Sequence, residues 1–353
     1  MITLGIECSC DDTSIGLVDD KHKILALETV GQNDMHRIYG GVVPELASRL
    51  HLNAIQKTFN TVVENANILT SQIDAICATS GPGLIGGLIV GMMFAKGLAI
   101  SLKKPFYPIN HLEAHTLTAR LTNKDLHFPY LLLLVSGGNT QIVLVRDVAN
   151  YKIIGKTVDD ACGECFDKIA KELKLPYPNG LEIEKYAEKY SHNVSSEIIT
   201  FSKPKVIEAN FSFSGLKSNV IRYIQNISHG TENNVTDTIK YNICYSLNKT
   251  VCDIIEDKIN IALNIIKNEK ITSIVAAGGV AANKMIRNKL KEIANINNLD
   301  FIAPPLNLCG DNGAMIAWTG IEHIKNGEKP NINFSPKPRW NLEEIKINSN
   351  TCS

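Results

Sequence analysis

Two histidines in the segment HLEAH have a spacing that suits a shared metal ion. His111 and His115 are four residues apart, so a helix places both on one face. Glu113 lies between them, about 200° around the helix from His111, whereas the base of a zinc peptidase directly follows the first histidine of its pair. The spacing therefore argues against a metallopeptidase. A polar helix face is the alternative, and a third ligand such as Asp311, in CGDNGAMIA, would favour metal binding.

Two short polar turns could hold a phosphorylated ligand. Each follows an apolar run, residues 2–7 or 130–135, and precedes a second run that is typical of a strand. The first turn offers hydroxyl and carboxylate groups that suit a metal ion or a nucleotide, and its residues are Ser9, Asp11, Asp12 and Thr13. The second offers backbone N–H groups that could bind phosphate oxygens, and its residues are Ser136, Gly137, Gly138 and Thr140. Either turn alone is typical of any hairpin, but the matched pair favours ligand binding.

Three further segments each allow two interpretations. Asn283, in AGGVAAN, could cap a helix or bind a ligand. In FSFSGLK, the polar side chains could face a substrate or begin a helix. The acidic residues of DDACGECFDK could begin a solvated helix or bind a ribose or a cation, and we favour the second because Gly163 permits close approach. These acids are Asp159, Asp160, Glu164 and Asp167. They also disfavour redox chemistry at Cys162 and Cys165, because acidic neighbours do not lower a thiol pKa.

The elements that must position these residues occur twice. A strand, a polar turn and a strand are followed downstream by a strand that leads into a glycine-rich turn and a helix, SGPGLIGG in the first half and GGVAAN in the second. This repetition predicts a duplicated α/β domain whose hairpin turns face each other across a cleft. We assign residues 1–110 to the first lobe, 111–330 to the second with an insertion around 191–210, and 331–353 to a polar tail. Periodicity predicts further helices at 44–67, 111–120, 160–173, 236–268 and 311–326.

The composition is typical of a globular protein in a reducing compartment. The chain has 353 residues, of which 44% are hydrophobic and 20% charged. Thirty-six basic residues balance 36 acidic ones, so any contact with nucleic acid must be a local patch. Nine cysteines without a secretory segment favour free thiols and a cytoplasmic location. The longest apolar stretch, 83–100, contains five glycines and Lys96, which predicts a packed helix rather than a membrane span.

Taken together, the motifs resemble those of one family, the tRNA N(6)-adenosine threonylcarbamoyltransferases, over nearly the whole chain. GIECSCDDTS at residues 5–14 is similar to the family's GIETSCDETS, and HRIYGGVVPELASRLH at 36–51 is nearly identical to its pattern. The further matching segments are GPGL at 81, NHLEAH at 110, LVSGGNTQ at 134, DDACGECFDK at 159, FSFSGLK at 211, GGVAAN at 278 and CGDNGAMIA at 309.

The resemblance implies a two-lobed α/β fold of the actin-like, sugar-kinase and Hsp70 ATPase type with a cleft between the lobes. It implies transfer of a threonylcarbamoyl group from L-threonylcarbamoyladenylate to the N(6) amine of adenosine 37, in tRNAs that read codons beginning with A, with release of AMP. The implied metal ligands are His111, His115 and Asp311, for iron(II) or zinc. The implied adenylate-binding residues are Leu134, Val135, Ser136, Gly137, Gly138, Asp167, Gly180 and Asn283. We take Ser9 and Asp11 as the catalytic candidates.

The same resemblance implies partners besides tRNA and the adenylate, namely a paralogous inactive subunit and a small ATPase, with no membrane. Few residues depart from the family pattern. PNGLEIEK replaces the common PGGP stretch, so the loop beside Gly180 is altered, and Cys8, Cys162 and Cys165 replace small residues as packing substitutions. Three other functions stay open from the residues alone: a small-molecule kinase or ATPase on the same fold, a metallopeptidase, and a noncatalytic subunit of an assembly.

Overall fold

A computed structural model describes residues 1–39, 41–176, 179–190, 197–228 and 235–347. The chain divides into two compact units. The first comprises Met1–Leu126, Arg146–Tyr151 and Gly310–Ser353, and the second comprises His127–Val145 and Lys152–Cys309.

In its described residues the first unit contains a five-stranded sheet in the order β3-β2-β1-β4-β5. Its strands are β1 Ile2–Glu7, β2 Asp12–Asp19, β3 Ile24–Gly31, β4 Ala75–Gly81 and β5 Phe106–Asn110. Strand β1 is antiparallel to β2 and parallel to β4. The central strands β2, β1 and β4 are almost continuously buried.

The helices of this unit are α1 Asn33–Arg37, α2 Pro44–Ala66, α3 Ile85–Leu102, α4 His111–Thr122 and α10 Gly313–Lys325. Helices α2 and α3 pack together, and α3 also covers β4, while α10 packs on β1, β2 and α4. Helix α2 begins at Pro44, whose fixed φ suits a first turn, and ends at Asn67, which adopts the left-handed conformation with φ 51°.

In its described residues the second unit repeats this arrangement, with strand order β10-β9-β6-β7-β8. Its strands are β6 Tyr130–Val135, β7 Thr140–Asp147, β8 Asn150–Lys156, β9 Ser273–Ala277 and β10 Asp300–Ile302. Its helices are α5 Cys162–Glu172, α6 Gly180–Glu188, α7 Ser214–Ser228, α8 Asp237–Ile265 and α9 Lys284–Ile296. Strand β6 is antiparallel to β7 and parallel to β9, as β1 is to β2 and β4. The predicted duplicated α/β layout is thus confirmed.

The helix predicted over the longest apolar stretch is α3. By length and composition alone it is apolar enough to cross a membrane. In the structure Leu88, Met92, Ala95 and Ala99 are buried on one side of it, and the last three join the core of the first unit.

The two units differ from the predicted division at residue 110. Helices α4 and α10 both belong to the first unit, because α10 packs on the first sheet and α4 packs on α10. Residues 191–196 of the predicted insertion lie outside the described residues, and 197–210 contain no helix or strand.

Part of the segment that the sequence analysis assigned to a polar tail is buried. Trp340, Leu342 and Ile345 are buried, and the backbone N–H of Lys337 donates to the carbonyl of Ser80 at 2.7 Å. The tail is therefore packed onto the first unit beside strand β4.

Candidate metal and nucleotide sites

Helix α4 begins at His111, one of the predicted metal ligands. Asn110 caps it, since its Oδ1 accepts from the backbone N–H groups of Leu112 and Glu113 at 2.9 and 3.2 Å. The Nδ2 of Asn110 donates to the carbonyl of Trp340 at 3.1 Å. The first turn of α4, and with it His111, is therefore fixed by its own cap and by the tail.

Asp311 lies two residues before α10 rather than at the start of the predicted helix, and Asn312 is the cap. Close packing of glycines sets the position of this helix end. A Cβ on Gly313 would lie 2.3 Å from the backbone nitrogen of Gly16, and one on Gly5 would lie 2.2 Å from the carbonyl oxygen of Gly313. Because these positions lack side chains, the segment that carries Asp311 contacts the backbone of β1 and β2 directly.

The three predicted metal ligands converge. Potential ligand atoms of His111, His115 and Asp311 all lie within 4.8 Å of one another. Oδ1 of Asp311 is 3.0 Å from Nε2 of His115 and 3.6 Å from Nε2 of His111. The imidazole planes cross at 84° with centroids 4.7 Å apart, so both Nε2 atoms lie near the same carboxylate oxygen.

Charges inside this cluster shift its protonation equilibria. Burial would lower the pKa of His111, but the carboxylates of Asp311 and Glu7 outweigh it and raise that pKa to about 9. Burial alone would raise the pKa of Asp311, yet the two histidines hold it well below its usual value. Two imidazoles and an ionised carboxylate are a donor set that fits zinc or iron(II).

Glu7 is a residue of this site that the sequence analysis did not single out. It is fully buried at the end of β1, and its Oε2 lies 3.1 Å from Nδ1 of His111. The available signal was an acidic residue at the end of an otherwise apolar strand, directly before a polar turn.

The two catalytic candidates differ in exposure. Ser9 is buried, and its Oγ lies 3.2 Å from Nδ1 of His111. Asp11 is half-buried, and its carbonyl accepts from the backbone N–H of Gln32 at 3.1 Å. In the same turn, burial, followed by the charge of Asp11, raises the pKa of Asp12 to about 7. The turn thus combines a hydroxyl next to a predicted metal ligand with two carboxyl groups.

Glu113, between the two histidines in sequence, contacts other residues than the predicted metal ligands. It is fully buried, its Oε1 accepts from the hydroxyl of Tyr151 at 2.7 Å, and its Oε2 lies 2.9 Å from Nε2 of His323 on α10. A carboxylate held in this way is not placed to activate water for peptide hydrolysis, so the structure agrees with the argument against a metallopeptidase.

In the second unit the SGGN turn packs against two other glycines. Ser136 closes the turn through its backbone N–H, which donates to the carbonyl of Asn139 at 2.8 Å. A Cβ on Gly163 would lie 2.6 Å from the Ser136 carbonyl oxygen, and one on Gly278, where φ is +92°, would lie 2.3 Å from that of Val135. A Cβ on Gly137 or Gly138 meets nothing within 4 Å. Close backbone contacts therefore hold the turn at Val135 and Ser136, whereas the space beside Gly137 and Gly138 is open.

The other predicted adenylate-binding residues lie on elements in contact with one another. Asp167 is on α5, and its Oδ1 accepts from the backbone N–H of Gly180 at 3.1 Å. Asn283 is buried and caps α9, its Oδ1 accepting from the N–H of Ile286 at 3.1 Å, while its Nδ2 donates to Asn248. The turn containing Gly279 packs on α5 and β6. For Asn283 the capping interpretation is thus confirmed, with ligand binding left as a prediction.

Comparison with known proteins assigns this arrangement to a family. The family model described as tRNA N6-adenosine threonylcarbamoyltransferase matches residues 23–318. A curated protein of that name from Brucella suis is 45% identical over 98% of this chain and 96% of its own length. One from Rickettsia bellii is 46% identical over 97% of this chain and 99% of its own. The chain belongs to the tRNA N6-adenosine threonylcarbamoyltransferase family. It is therefore a transferase that modifies tRNA, as the motifs indicated.

Solved structures of distant sequence share the fold of this threonylcarbamoyltransferase family member. Component A of the (R)-2-hydroxyglutaryl-CoA dehydratase of Acidaminococcus fermentans superposes with a TM-score of 0.54 at 16% identity, covering 92% of this chain and 99% of its own. HypF from T. kodakarensis superposes with a TM-score of 0.54 at 12% identity, covering 92% of this chain and 48% of its own. The fold is thus of the predicted actin-like type.

Two acids in the DDACGECFDK motif of this threonylcarbamoyltransferase have structural partners. Asp159 accepts from the hydroxyls of Ser212 and Ser214 at 2.6 and 2.7 Å and from the backbone N–H of Phe213 at 2.8 Å. Asp160 pairs with Lys217. These contacts join DDACGECFDK to FSFSGLK and fix the start of α7. They favour a structural role for both acids over the ribose or cation site that we expected.

The C-x-x-C pair is part of the core of the second unit. Cys162 and Cys165 are fully buried, and burial raises the pKa of both thiols, that of Cys165 to about 12. Buried thiols with a raised pKa are poor nucleophiles. The burial of both cysteines is therefore consistent with a packing role.

Proposed function

We propose that this enzyme transfers the threonylcarbamoyl group of L-threonylcarbamoyladenylate to the N(6) amine of adenosine 37, in tRNAs that read codons beginning with A, and releases AMP. The observation that carries the proposal is the convergence of His111 and His115 with Asp311, which lies 196 residues beyond His115 in the chain. The three residues are the ligand set that the family resemblance implies. Relatives named for this transfer align with nearly the whole chain.

We propose that the second unit binds the adenylate. The N–H groups of the SGGN turn would bind phosphate oxygens, because Gly137 and Gly138 leave the space above the turn open. Asp167 and Gly180, which contact each other, would lie beside the nucleoside. Asn283 would fix the turn after β9 through its cap to α9 and could still offer hydrogen-bonding capacity, since a carboxamide oxygen has two lone pairs.

We propose one divalent metal ion per chain, iron(II) with zinc as the alternative, held by His111, His115 and Asp311. When bound, the ion would stabilise negative charge that develops on the reacting carbonyl or the leaving phosphate. Asp311 contributes the negative charge of the ligand set, and Glu7 and Ser9 hold the first imidazole from its other nitrogen. The protein thus supplies orientation and a buried, charged environment.

The acyl group arrives already activated as a mixed anhydride, so no covalent enzyme intermediate is needed. The adenosine nitrogen forms a bond to the carbamoyl carbon, the bond from that carbon to the phosphate oxygen breaks, and the amine loses one proton. We propose that Asp11, half-buried in the first turn, accepts this proton. Ser9 would act beside it by holding His111 through its hydroxyl.

A direct assay tests the transfer. The purified protein, loaded with iron(II) or zinc, is mixed with threonylcarbamoyladenylate, unmodified tRNA and candidate partner subunits, and nucleosides are analysed by mass spectrometry. The expected result is threonylcarbamoyladenosine with stoichiometric AMP. Transfer of phosphate from ATP to a small acceptor, with no modified nucleoside, would instead support the kinase alternative.

We also propose that the enzyme acts in the cytoplasm with a paralogous inactive subunit and a small ATPase. An exposed apolar side of α3 favours a protein partner. Its exposed residues are Ile85, Ile89, Met93 and Ile100. A charge placed there by Met93→Glu should abolish co-purification with the paralogous subunit. The control Leu69→Glu alters a side chain that is more exposed and lies outside α3, and should leave the complex intact.

A further inference from the structure

We propose that Glu7 is the positioning residue for His111, and that it fixes the imidazole with Nδ1 protonated so that Nε2 is the atom that binds the metal. The proposal rests on the metal site proposed above. Glu7 itself is not a ligand in this assignment, and its role is to orient one.

The two nitrogens of His111 have different neighbours. Nδ1 lies 3.1 Å from Oε2 of Glu7 and 3.2 Å from Oγ of Ser9. Nε2 is the nitrogen on the side of Asp311, 3.6 Å from its Oδ1. A carboxylate can only accept a hydrogen bond, so the hydrogen of a neutral His111 belongs on Nδ1 and the lone pair of Nε2 is left for an ion.

Glu7 is itself held on two sides. Its Oε1 accepts from the backbone N–H of Ser9 at 2.6 Å, and its Oε2 accepts from the hydroxyl of Thr79. Thr79 is on β4, the strand that pairs with β1, so the carboxylate lies between two central strands of the sheet. These contacts hold the carboxylate of Glu7 in one orientation. Because its Oε2 contacts Nδ1 of His111, the carboxylate in turn orients the imidazole.

The carboxylate of Glu7 lies directly behind the proposed ligand, with its Oε2 3.1 Å from Nδ1 of His111. An ionised carboxylate behind a histidine ligand makes the metal-binding nitrogen more basic, and loss of such a partner typically weakens metal affinity about 10–100-fold.

The first test measures metal affinity. Full-length apoprotein is titrated with zinc against a chromophoric chelator, and Glu7→Gln, which keeps the shape but not the charge, should bind zinc about 10–100-fold more weakly than wild type. Glu184→Gln is the control, since it removes the charge of a buried carboxyl in the second unit whose Oε1 accepts from the backbone N–H of Lys284, a bond that the amide oxygen of glutamine can replace. It should retain zinc affinity within a factor of about three. Glu7→Asp, which keeps the charge, should recover part of the loss.

Equal zinc affinity in wild type and folded Glu7→Gln would overturn the proposal. No zinc binding by wild type would instead mean that the metal site itself is wrong, so the two failures are distinguishable.

A second measurement needs no variant and covers the case in which Glu7→Gln does not fold. In the zinc-loaded wild-type protein, long-range proton–nitrogen correlation spectra should show that His111 carries a proton on Nδ1 and binds zinc through Nε2. Coordination through Nδ1 would contradict the assignment.

Discussion

Glu113 and His323 form a buried ion pair, with Oε2 of the glutamate 2.9 Å from Nε2 of the histidine. Glu113 is on α4 and His323 on α10, so the pair joins the helix that carries two proposed metal ligands to the helix that follows the third. The hydroxyl of Tyr151 completes the group. The glutamate of HLEAH thus acts on the side of α4 away from the metal site.

Glu113→Gln should destabilise the protein by about 3 kcal/mol, the low end of the range for a broken buried pair, because it removes the nearer carboxylate from buried His323 and leaves the more distant one of Glu328, 4.0 Å from Nδ1. Urea denaturation followed by circular dichroism measures the loss. Glu45→Gln is the control, since Glu45 pairs with Arg49 on the exposed side of α2 and such pairs contribute about 1 kcal/mol or less. Similar losses in both variants would contradict the assigned role of the buried pair.

The same pair should make stability depend on pH. Burial lowers the pKa of His323, but the charge of Glu113 outweighs it and the pKa is raised above its ordinary value. A raised pKa contributes stability that is complete below the pKa of the unfolded chain, about 6.5, and that is lost as pH rises through the folded value. The difference in unfolding free energy between wild type and Glu113→Gln should therefore be largest at acid pH and shrink on the alkaline side. A difference that grows with pH would have the wrong sign.

Metal binding should release a proton near neutral pH. His111, whose pKa is raised to about 9 by Asp311 and Glu7 against the effect of burial, is charged at pH 7 and must lose a proton from Nε2 to bind an ion. Affinity should rise about tenfold per pH unit up to roughly pH 9 and then level off. Calorimetry in buffers of different ionisation enthalpy counts the proton, and zero protons released at pH 7.5 would contradict the prediction.

His111→Ala and Asp311→Ala should each abolish tight metal binding and threonylcarbamoyl transfer while the protein stays folded. Both side chains lie in the charged cluster rather than in either apolar core, so their loss removes ligands without opening a core cavity. Metal content by atomic emission and the melting curve are measured on the same samples. Full transfer by metal-free His111→Ala would refute the role of the metal.

Gly278→Ala should cost about 1–3 kcal/mol, because the residue has φ +92° and a Cβ there would lie 2.3 Å from the carbonyl oxygen of Val135. The displaced turn should also bind the adenylate more weakly. Gly279→Ala is the neighbouring control, since its Cβ meets nothing within 4 Å. It should retain wild-type stability, and thermal unfolding with and without the adenylate separates the two effects.

Much of the fold followed from local pattern. Alternating apolar runs and glycine-rich turns predicted the repeated strand, turn and helix units, and two helices were predicted to begin at residues 44 and 111, where the structure has them. These features depend on residues close together in the chain, so the sequence alone determines them. The shared helix face of His111 and His115 is also determined locally, because helix geometry alone places residues four apart on one face.

Contacts between distant segments were decided only by the tertiary structure. Glu7 meets His111 across 104 residues and Glu113 meets His323 on another helix, and neither pairing has a local signature. The division at residue 110 also failed to match the observed units, because α10 packs on the first sheet through Gly5, Gly16 and Gly313. Residue type and spacing determined which side chains could carry the chemistry, whereas packing of backbone against backbone decided which of them meet.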